Sequence, residues 1–508
     1  MNLRKKLRTV WTVLASASLV VSGASVPAAN AANETQLVVG ALQNLNSWDP
    51  SQADHAHRII YYQVVYDNLI TRQPNGQYKG NLATSWEINS KFTEITLKLR
   101  TGVKFSDGEA FNADVAKANL DNFINGKGPW ARIFTGAKAT VVDTNTVKLT
   151  LAKPEPEILY FLSVTNSFMA SPKALGTAGL KTVPVGSGPY IYDASSKPGI
   201  EYVFTANPNY WDKSKQKFKK VVIKVLDNVT ARLNAIMSGQ INATLLDVKT
   251  TATAQKNKKL TFYKYENDFY GLMLWDRDGK VNEAIGKKEV RQAINYALDR
   301  KALLKTVQGG LGTVTAQPFG KTSGAYVAAL DNAYPYNPAK AKELLAKAGY
   351  PNGFTLELPS WGNQNPAENA AVEKYLKDVG ITVKWDNVSL GDAFGKMLTG
   401  KYAASTFGLT QGSAWFFMNL GVAPDATRNV LKTKNSVVDA AIAKIEASPS
   451  ANLIKSEITK VNKEMVEQAW FAPFYRNFQL YFTSNRVKVT PQLGSAVPFL
   501  YNFEPTGK

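Results

Sequence analysis

Short segments of the chain alternate strictly between apolar and polar residues. This two-residue period is typical of a half-buried strand; it runs through residues 95–100 and returns at 147–151. Residues 221–226 form instead a nearly continuous apolar run, which predicts a strand covered on both faces. The chain is therefore predicted to contain both partly and fully buried strands.

Other segments carry apolar residues at helical spacing. One apolar face repeats through 290–298, and a second helix is predicted to begin after Asn337 and to end at Gly349. A third helical pattern at 372–379 leads directly into a strand at 381–385. Because strands and helices interleave along the chain, the pattern predicts an α/β fold.

The N-terminal segment has the pattern of a secretory signal peptide at 1–31. Four Lys and Arg residues precede an apolar stretch at 10–21, and small residues then lead to an A-x-A pattern that predicts cleavage between Ala31 and Ala32. The apolar stretch is short, which favours cleavage over the alternative of an uncleaved membrane anchor. We expect the mature protein to work outside the cytoplasmic membrane, as a periplasmic or cell-surface-associated protein.

The composition is basic and lacks cysteine. The 508 residues include 60 Lys and Arg and 40 Asp and Glu, for a formal net charge of +20, and loss of the signal segment leaves +16. The absence of cysteine excludes disulfides, thiol chemistry and a lipid anchor attached through cysteine. A secreted protein rarely meets nucleic acid, so we expect no such partner. The dispersed lysines indicate a solvated surface or, alternatively, attraction to an anionic cell surface.

The sequence offers few groups for catalysis or metal binding. The only two histidines, His55 and His57, precede an apolar helical pattern, so we expect surface side chains in a first helical turn rather than a metal pair. The Gly-rich segment 309–312 lacks a G-K-[ST] ending and predicts a turn. A triad without a G-x-S-x-G elbow and a carboxylate pair remain open in principle. We predict that the protein is not an enzyme and uses no cofactor or metal.

Several motifs, taken together in their order along the chain, resemble the family 5 extracellular solute-binding proteins of ABC transporters. This group includes oligopeptide-, dipeptide- and nickel-binding proteins. Each motif alone is weak, whereas the ordered set covers roughly 36–480. The motifs are WDP at 48–50 with YQVVYDNL at 62–69, LATSWE at 82–87, GVKFSDGE at 102–109, VGSGPY at 185–190, NPNYW at 207–211, LNAIMSGQI at 233–241, VRQAINYALDR at 290–300 and AKAKELLAKAGY at 339–350.

The resemblance implies a two-lobed fold like that of type II periplasmic binding proteins, in the large three-domain form. The two lobes would be joined by a two-segment hinge near 268–270 and 477–479. The implied parts are lobe I, at 32–70, 185–270 and 478–508; an inserted domain on the side of lobe I, at 71–184; and lobe II, at 271–477.

The resemblance also implies the function. The protein would be the extracytoplasmic substrate-binding component of an ABC importer, a monomer that captures oligopeptide-like solutes between closing lobes and delivers them to a membrane permease. An oligosaccharide-binding member of the same family is the alternative. A surface chaperone or adhesion protein on the same scaffold is an alternative of another class.

This chain differs from the peptide-binding members of the family in one segment that bears on the ligand. Peptide-binding members often have a G-x-[FY]-D pattern and, after the strand that follows it, an Asp that holds the free amino group of the peptide. In the matching segment 400–415 of this chain, Ala403 takes the place of the Asp of the pattern and Gly412 that of the amine-binding Asp. A buried ammonium without a counter-charge is costly, so this departure favours a neutral ligand such as an oligosaccharide, unless another acid supplies the charge. The residues that we expect to contact the ligand are Trp48, Tyr270, Trp361, Thr410, Gln411 and Trp415.

Overall fold

The computed structural model describes residues 36–54, 56–128, 130–361, 364–410, 413–447 and 450–507. The predicted signal peptide and its cleavage site at Ala31 and Ala32 lie outside the described residues, as does Gln411. Within the described ranges, no helix is long and apolar enough to cross a membrane.

Nineteen strands are found in the described residues. They are β1 (Gln36–Ala41), β2 (Ile70–Arg72), β3 (Tyr78–Gly80), β4 (Ala83–Ile88), β5 (Glu94–Leu99), β6 (Lys138–Asp143), β7 (Thr146–Thr150), β8 (Tyr190–Tyr192), β9 (Glu201–Ala206), β10 (Lys220–Val225), β11 (Ala243–Leu246), β12 (Leu260–Leu274), β13 (Gly312–Val314), β14 (Phe354–Ser360), β15 (Ile381–Asn387), β16 (Ala404–Thr410), β17 (Phe471–Ser484), β18 (Val487–Val489) and β19 (Phe503–Pro505).

The same ranges contain fourteen α-helices. They are α1 (Ile59–Val65), α2 (Ala113–Ile124), α3 (Ile158–Ser163), α4 (Val229–Met237), α5 (Val248–Ala254), α6 (Glu283–Gly286), α7 (Lys288–Ala297), α8 (Arg300–Gln308), α9 (Pro338–Lys347), α10 (Pro366–Lys377), α11 (Leu390–Leu398), α12 (Ala414–Phe417), α13 (Ser436–Ala447) and α14 (Ala451–Glu467). A π-helical turn, Met418–Val422, follows α12. Short 3-10 turns are Pro50–Gln52, Ala131–Phe134, Ala178–Lys181, Lys213–Lys215, Ala328–Asn332 and Leu500–Asn502.

A nine-stranded sheet runs through the segments assigned to lobe I and lobe II. Its order is β16-β12-β17-β11-β1-β10-β9-β8, with β13 paired to β17. Central strands of this sheet are covered on both faces, which explains the continuous apolar run of β10 between β1 and β9. A separate four-stranded sheet, β4-β5-β7-β6, lies within the range predicted as the inserted domain, and β14 pairs in parallel with β15 within the range predicted as lobe II. Below, lobe I, lobe II and the inserted domain are names for these predicted residue ranges.

The predicted periodicities are confirmed at the elements where they were strongest. The alternating segments form β5 and β7, and the segment after the third helical pattern forms β15. The helical patterns form α7, α9 and α10. Asn337 caps α9, since its side chain accepts a hydrogen bond of 3.0 Å from the backbone N–H of Lys340. The predicted domain boundary after residue 70 falls within β2, which pairs with β3.

Several of the sequence motifs meet at one buried carboxylate. Asp67, which is fully buried, accepts hydrogen bonds from Tyr210 Oη at 2.9 Å, Trp211 Nε1 at 3.0 Å, Asn81 Nδ2 at 3.1 Å and Ser187 Oγ at 3.3 Å. Burial raises the pKa of Asp67, and the charge of Lys215 together with the hydrogen bonds from Trp211, Asn81 and Tyr210 acts in the opposite direction. We call Asp67 and its four hydrogen-bond donors the Asp67 cluster; they join the segments 62–69, 185–190 and 207–211 into one structural unit.

Candidate functional site

Two long antiparallel strands connect the segments of lobe I with those of lobe II. At one end β17 pairs with β11 of lobe I, and at the other end β12 pairs with β16 of lobe II. The pairing of β12 with β17 shifts register between Glu266 and Asp268, and Asp268 lies opposite Asn477. A bulge of this kind bends a strand locally and interrupts its ladder. The irregularity therefore lies beside the two segments where the hinge is predicted.

A first cavity, of about 550 Å³, lies on lobe II at the carboxyl ends of the parallel strands β14 and β15. Ligands of open α/β sheets commonly bind at this edge. The two indole rings of Trp361 and Trp385 line it together with the amides Gln364, Asn369 and Asn387. We call this cavity the lobe II groove.

The polar groups of the lobe II groove are mostly neutral. Gln364 Nε2 donates to Thr406 Oγ1 at 2.8 Å, which ties the groove to β16. The one acidic residue among the described lining residues is Glu373, and its carboxylate accepts a hydrogen bond of 2.9 Å from Trp385 Nε1. The groove thus presents aromatic faces and amides to a ligand.

Tyr270 is the last residue of the range predicted as lobe I, and it lies on β12 opposite Gly408 of lobe II. Its ring stacks on that of Tyr475 with centroids 6.2 Å apart, and both tyrosine hydroxyls hydrogen-bond the carboxyl of Glu368. Glu368 is only 3% exposed, and burial raises its pKa. The Tyr270 hydroxyl is therefore already engaged by the buried carboxyl group of Glu368 on α10.

A second cavity, of about 910 Å³, lies between the inserted domain and lobe II. The inserted domain contributes Ile133, Thr135, Gly136 and residues 151–155, and lobe II contributes Trp415, Asn419 and one face of α13. Trp415 is only 3% exposed, and its buried indole N–H has no hydrogen-bond partner among the described residues. An unsatisfied buried donor is costly unless a ligand or water pairs with it. We call this space the interlobe cavity.

The inserted domain and lobe II touch beside the interlobe cavity. The ring of Phe416 packs against Trp130, Tyr160 and Phe161 of the inserted domain at centroid distances of 5.4, 5.6 and 6.2 Å. The hydroxyl of Ser413 donates a hydrogen bond to the carboxylate of Glu157 across the same boundary. These contacts hold helix α12, which carries Trp415, against the inserted domain.

Glu157 is the titratable group of this interlobe contact. Burial raises its pKa to about 7, against the opposing effects of Ser413, of the backbone N–H groups of Phe416 and Trp415 and of the Arg72 guanidinium. A carboxyl with this pKa changes its protonation near neutral pH. We therefore expect the contact between the lobes to depend on pH.

Trp48 lies in the core of lobe I rather than in either cavity. It is 2% exposed, and aromatic rings surround it edge-on at centroid distances of 5.8 to 6.4 Å. These rings belong to Tyr61, Tyr62, Tyr192, Tyr202 and Phe204. The structure thus corrects the expectation of a ligand contact, since the indole fills an aromatic core where edge-to-face pairs are favourable.

The expected contact residues are not brought into one site. Trp361 lines the lobe II groove and Trp415 lines the interlobe cavity, and the two cavities share no lining residue among those described. For Thr410 the structure describes the backbone, which pairs with Asp268. Sequence reasoning missed Glu157 altogether, because no local pattern indicates which side chain will meet a distant loop.

The prediction for His57 also needs correction, whereas His55 lies outside the described residues. Helix α1 begins at Ile59, so His57 precedes it, and His57 Nδ1 is buried without a described hydrogen-bond partner instead of facing solvent. Burial lowers the pKa of His57 to about 4. The imidazole is therefore neutral at physiological pH.

The sequence of the chain is similar to that of known binding proteins. The family model of bacterial extracellular solute-binding proteins, family 5, matches residues 77–426. Glutathione-binding protein GsiB of Salmonella choleraesuis is 30% identical over 379 residues, which are 73% of this chain and 72% of that protein. GsiB of Pectobacterium atrosepticum is 30% identical over 383 residues, with 74% and 72% covered.

Solved structures show the same fold over nearly the whole chain. The periplasmic binding protein DppA of Helicobacter pylori, in complex with the peptide STSA, aligns with a TM-score of 0.79 at 21% identity, covering 93% of this chain and 99% of that one. The binding protein AgaA of A. tumefaciens, in complex with agropinic acid, aligns with a TM-score of 0.78 at 25% identity, covering 92% and 98%. The fold is therefore that of the periplasmic binding proteins, a class of non-enzymatic solute receptors.

Within that class, the chain belongs to family 5 of the bacterial extracellular solute-binding proteins. It is thus a substrate-binding component of an ABC importer, and the resemblance drawn from the ordered motifs is confirmed.

Proposed function

We propose that this protein captures short peptide-like solutes between its inserted domain and lobe II and delivers them to an ABC permease. The interlobe cavity carries this proposal. Its volume of about 910 Å³ lies within the range of small-molecule sites, and a buried indole N–H of Trp415 lacks a described partner there. A peptide carbonyl oxygen would supply the missing acceptor.

The sequence relatives support a small peptide as the solute. The two relatives described above, each 30% identical, are glutathione-binding proteins, and glutathione is itself a peptide of three residues. The departure at Ala403 and Gly412 argues against the usual Asp that holds a peptide amino group. A bound peptide would therefore use contacts other than that Asp.

Closure of the two lobes would couple binding to transport. A ligand shifts an open–closed equilibrium only by its preference for the closed form. A ligand that pairs with Trp415 while Ser413 contacts Glu157 has that preference, because both groups come from the boundary between the inserted domain and lobe II. We propose that bending at the bulge between Glu266 and Asp268 allows the movement, and that a monomer presents the closed form to the permease.

An oligosaccharide is the second candidate ligand, and the lobe II groove favours it. Trp361 and Trp385 offer aromatic faces on which sugar rings stack, and the neighbouring amides can pair with hydroxyl groups. In that case the ligand would lie against lobe II and would leave Trp415 without a partner.

A thermal-shift screen of the mature protein tests the proposal. Ligands that bind only the folded state raise its melting temperature, so pools of di- to octapeptides, glutathione and oligosaccharides are compared at equal concentration. We expect shifts with short peptides and none with oligosaccharides. Shifts with oligosaccharides alone would overturn the peptide proposal, whereas salt-labile binding of unfolded chains without a change in scattering radius would favour a chaperone.

Location and retention near the permease follow from the same proposal. The chain lacks the cysteine that a lipid anchor would need, so we propose that the basic surface holds the protein near an anionic membrane or that an outer membrane confines it. Release of the protein from cells by high salt would support the first arrangement, because salt screens surface charge.

A further inference from the structure

The interlobe cavity has a charge opposite to that of the protein as a whole. The chain has a formal net charge of +20, yet the ionisable residues that line this cavity are mostly acidic. Those described are the carboxylates of Glu155, Asp425, Asp439 and Glu446 and the ammonium of Lys153. A cleft lined mainly by one sign of charge concentrates solutes of the opposite sign.

One face of α13 carries two of these acids. Asp439, Ile442, Ala443 and Glu446 all line the cavity, at the spacing of residues that share a helix face. Asp439 and Glu446 are seven residues apart, so they lie about 10 Å apart along the helix axis. An extended ligand in the cavity therefore passes both carboxylates.

Three of the four acids have no basic partner in the described part of the chain. Asp425, Asp439 and Glu446 have no Lys or Arg nitrogen within 4.0 Å among the residues described there; Lys444, on the same helix, pairs instead with Glu457 at 3.6 Å. Lys432 lies near Asp425 but donates to backbone carbonyl oxygens, including that of Ala426 at 3.1 Å. The negative charge thus remains available to a solute.

The unpartnered Trp415 N–H is an independent observation at the same cavity. Acidic residues alone are common on protein surfaces, whereas a side chain that is only 3% exposed and leaves its one polar donor without a described partner is uncommon. The donor requires an acceptor such as a carbonyl oxygen. A ligand that fits the cavity therefore offers a hydrogen-bond acceptor to the Trp415 N–H and a positive charge to the acids.

The spread of the acids favours an organic cation over a metal ion. The described residues contain no group of three His, Asp or Glu side chains close enough to hold one metal ion. A metal ion needs several oxygen ligands around one point, whereas amino or guanidinium groups along a flexible solute can meet separate carboxylates.

We propose that the interlobe cavity selects cationic solutes, namely short peptides that carry Lys or Arg side chains. The inference rests on the proposed function, since it takes the interlobe cavity as the solute site. The peptide carbonyl accepts from Trp415 Nε1, and the cationic side chain lies against Asp439 and Glu446 on α13. The solute charge is thus bound by α13 instead of by the Asp that peptide-binding relatives use.

The test compares three peptides with the same free ends and different central residues: Ala-Lys-Ala, Ala-Ala-Ala and Ala-Glu-Ala. Calorimetric titration of the mature protein at low salt should rank them in that order, with Ala-Lys-Ala about tenfold tighter than Ala-Glu-Ala. The difference should shrink at high salt. Equal affinities within twofold, or tighter binding of Ala-Glu-Ala, would overturn the proposal while leaving peptide binding intact.

Charge-neutral variants locate the effect. Asp439→Asn and Glu446→Gln should each weaken Ala-Lys-Ala about threefold and leave Ala-Ala-Ala unchanged, because an accessible charge pair contributes modestly. Glu343→Gln is the matched control, since this exposed acid pairs with Lys340 on α9 outside the cavity. Lys153→Gln should tighten Ala-Lys-Ala by removing a competing cation. Unchanged affinity in both α13 variants, with ligand-free melting temperatures preserved, would contradict the assignment.

A non-peptide cation separates this inference from the peptide proposal. If 1,4-diaminobutane raises the melting temperature and loses that effect in Glu446→Gln while no peptide binds, the cation preference stands and the peptide proposal fails. If neither Ala-Lys-Ala nor 1,4-diaminobutane produces a shift, the cation proposal is overturned.

Discussion

The Asp67 cluster and the interlobe cavity are both polar, but they differ in whether their buried polar groups have hydrogen-bond partners. In the Asp67 cluster one buried carboxylate accepts four side-chain hydrogen bonds between 2.9 and 3.3 Å. In the interlobe cavity the buried N–H of Trp415 has no described partner, and three carboxylates have no described cation within 4.0 Å. The first region is complete in itself, and the second is completed by a ligand.

The difference separates residues that specify the fold from residues that bind solute. The Asp67 cluster gathers side chains from several of the motifs by which the family resemblance was drawn. Its role is to hold those segments together, because buried polar groups stabilise a fold only when all of them are paired. The interlobe cavity lies outside those motifs. Motifs thus identified the family, and unsatisfied polar groups indicate the site.

The largest expected effect is the loss of the Asp67 carboxylate. Asp67→Ala leaves Tyr210, Trp211, Asn81 and Ser187 without their buried acceptor, so we expect the free energy of unfolding to fall by about 3–5 kcal/mol in urea titration. Asp67→Asn, which keeps one acceptor oxygen, should cost less. A loss below about 1 kcal/mol in the Ala variant would show that the cluster does not hold the fold.

A Trp415 variant that lacks the indole N–H but keeps an aromatic ring should lose more ligand affinity than folding stability. Trp415→Phe keeps an aromatic ring, and we expect peptide affinity to fall about tenfold with a stability change near 1 kcal/mol. Trp415→Ala should cost about 3 kcal/mol of stability, because the side chain is buried. Trp361→Phe is the matched control. If it weakens peptide binding while Trp415→Phe does not, the lobe II groove is the solute site.

The interlobe contact should make ligand affinity depend on pH. The pKa of Glu157 is raised to about 7 where the lobes touch, with burial as the main cause, so the closed contact binds a proton more tightly than an open one. Closure is therefore favoured as the pH falls from about 7 towards the ordinary Glu value. We expect peptide affinity by calorimetry to increase severalfold between pH 8 and pH 5, less than the full shift because the residue is half-buried.

Glu157→Gln provides the control for the pH effect. Arg72, Tyr78 and Tyr160 are the charged and titratable groups that interact with Glu157 from its own side, and Ser413 contacts it from lobe II. The Gln variant removes the titrating group, so affinity should become nearly independent of pH over this window. An unchanged pH profile in the variant would assign the effect to another group.

The smallest expected effect comes from a residue in neither region. Asn337→Ala removes the N-cap of α9 and should lower the free energy of unfolding by about 1 kcal/mol. Peptide affinity should stay the same, because α9 does not line either cavity. A change in affinity would mean that lobe II stability itself, and not the lining of the cavity, controls binding.

Local sequence pattern predicted the elements well. Alternation and helical spacing found β5, β7, α7, α9 and α10, since each depends on residues that are close along the chain. The ordered motifs, through the family that they resemble, also predicted the fold class.

The site could be predicted only in part. Trp415 lines a cavity between lobes, but Trp48 lies in an aromatic core, because aromatic residues suit ligand sites and cores equally well. The helix period of Asp439 and Glu446 is visible in the sequence. The same helix face lines one cavity with Ile133, Thr135, Gly136 and residues 151–155. This arrangement depends on tertiary packing, which no local pattern encodes.

A crystal structure of the mature protein with Ala-Lys-Ala would test the central claim most directly. We predict the peptide in the interlobe cavity, with a carbonyl oxygen at hydrogen-bonding distance from Trp415 Nε1 and the lysine ammonium near Asp439 or Glu446. Peptide bound in the lobe II groove against Trp361 and Trp385, with the interlobe cavity holding only water, would contradict it.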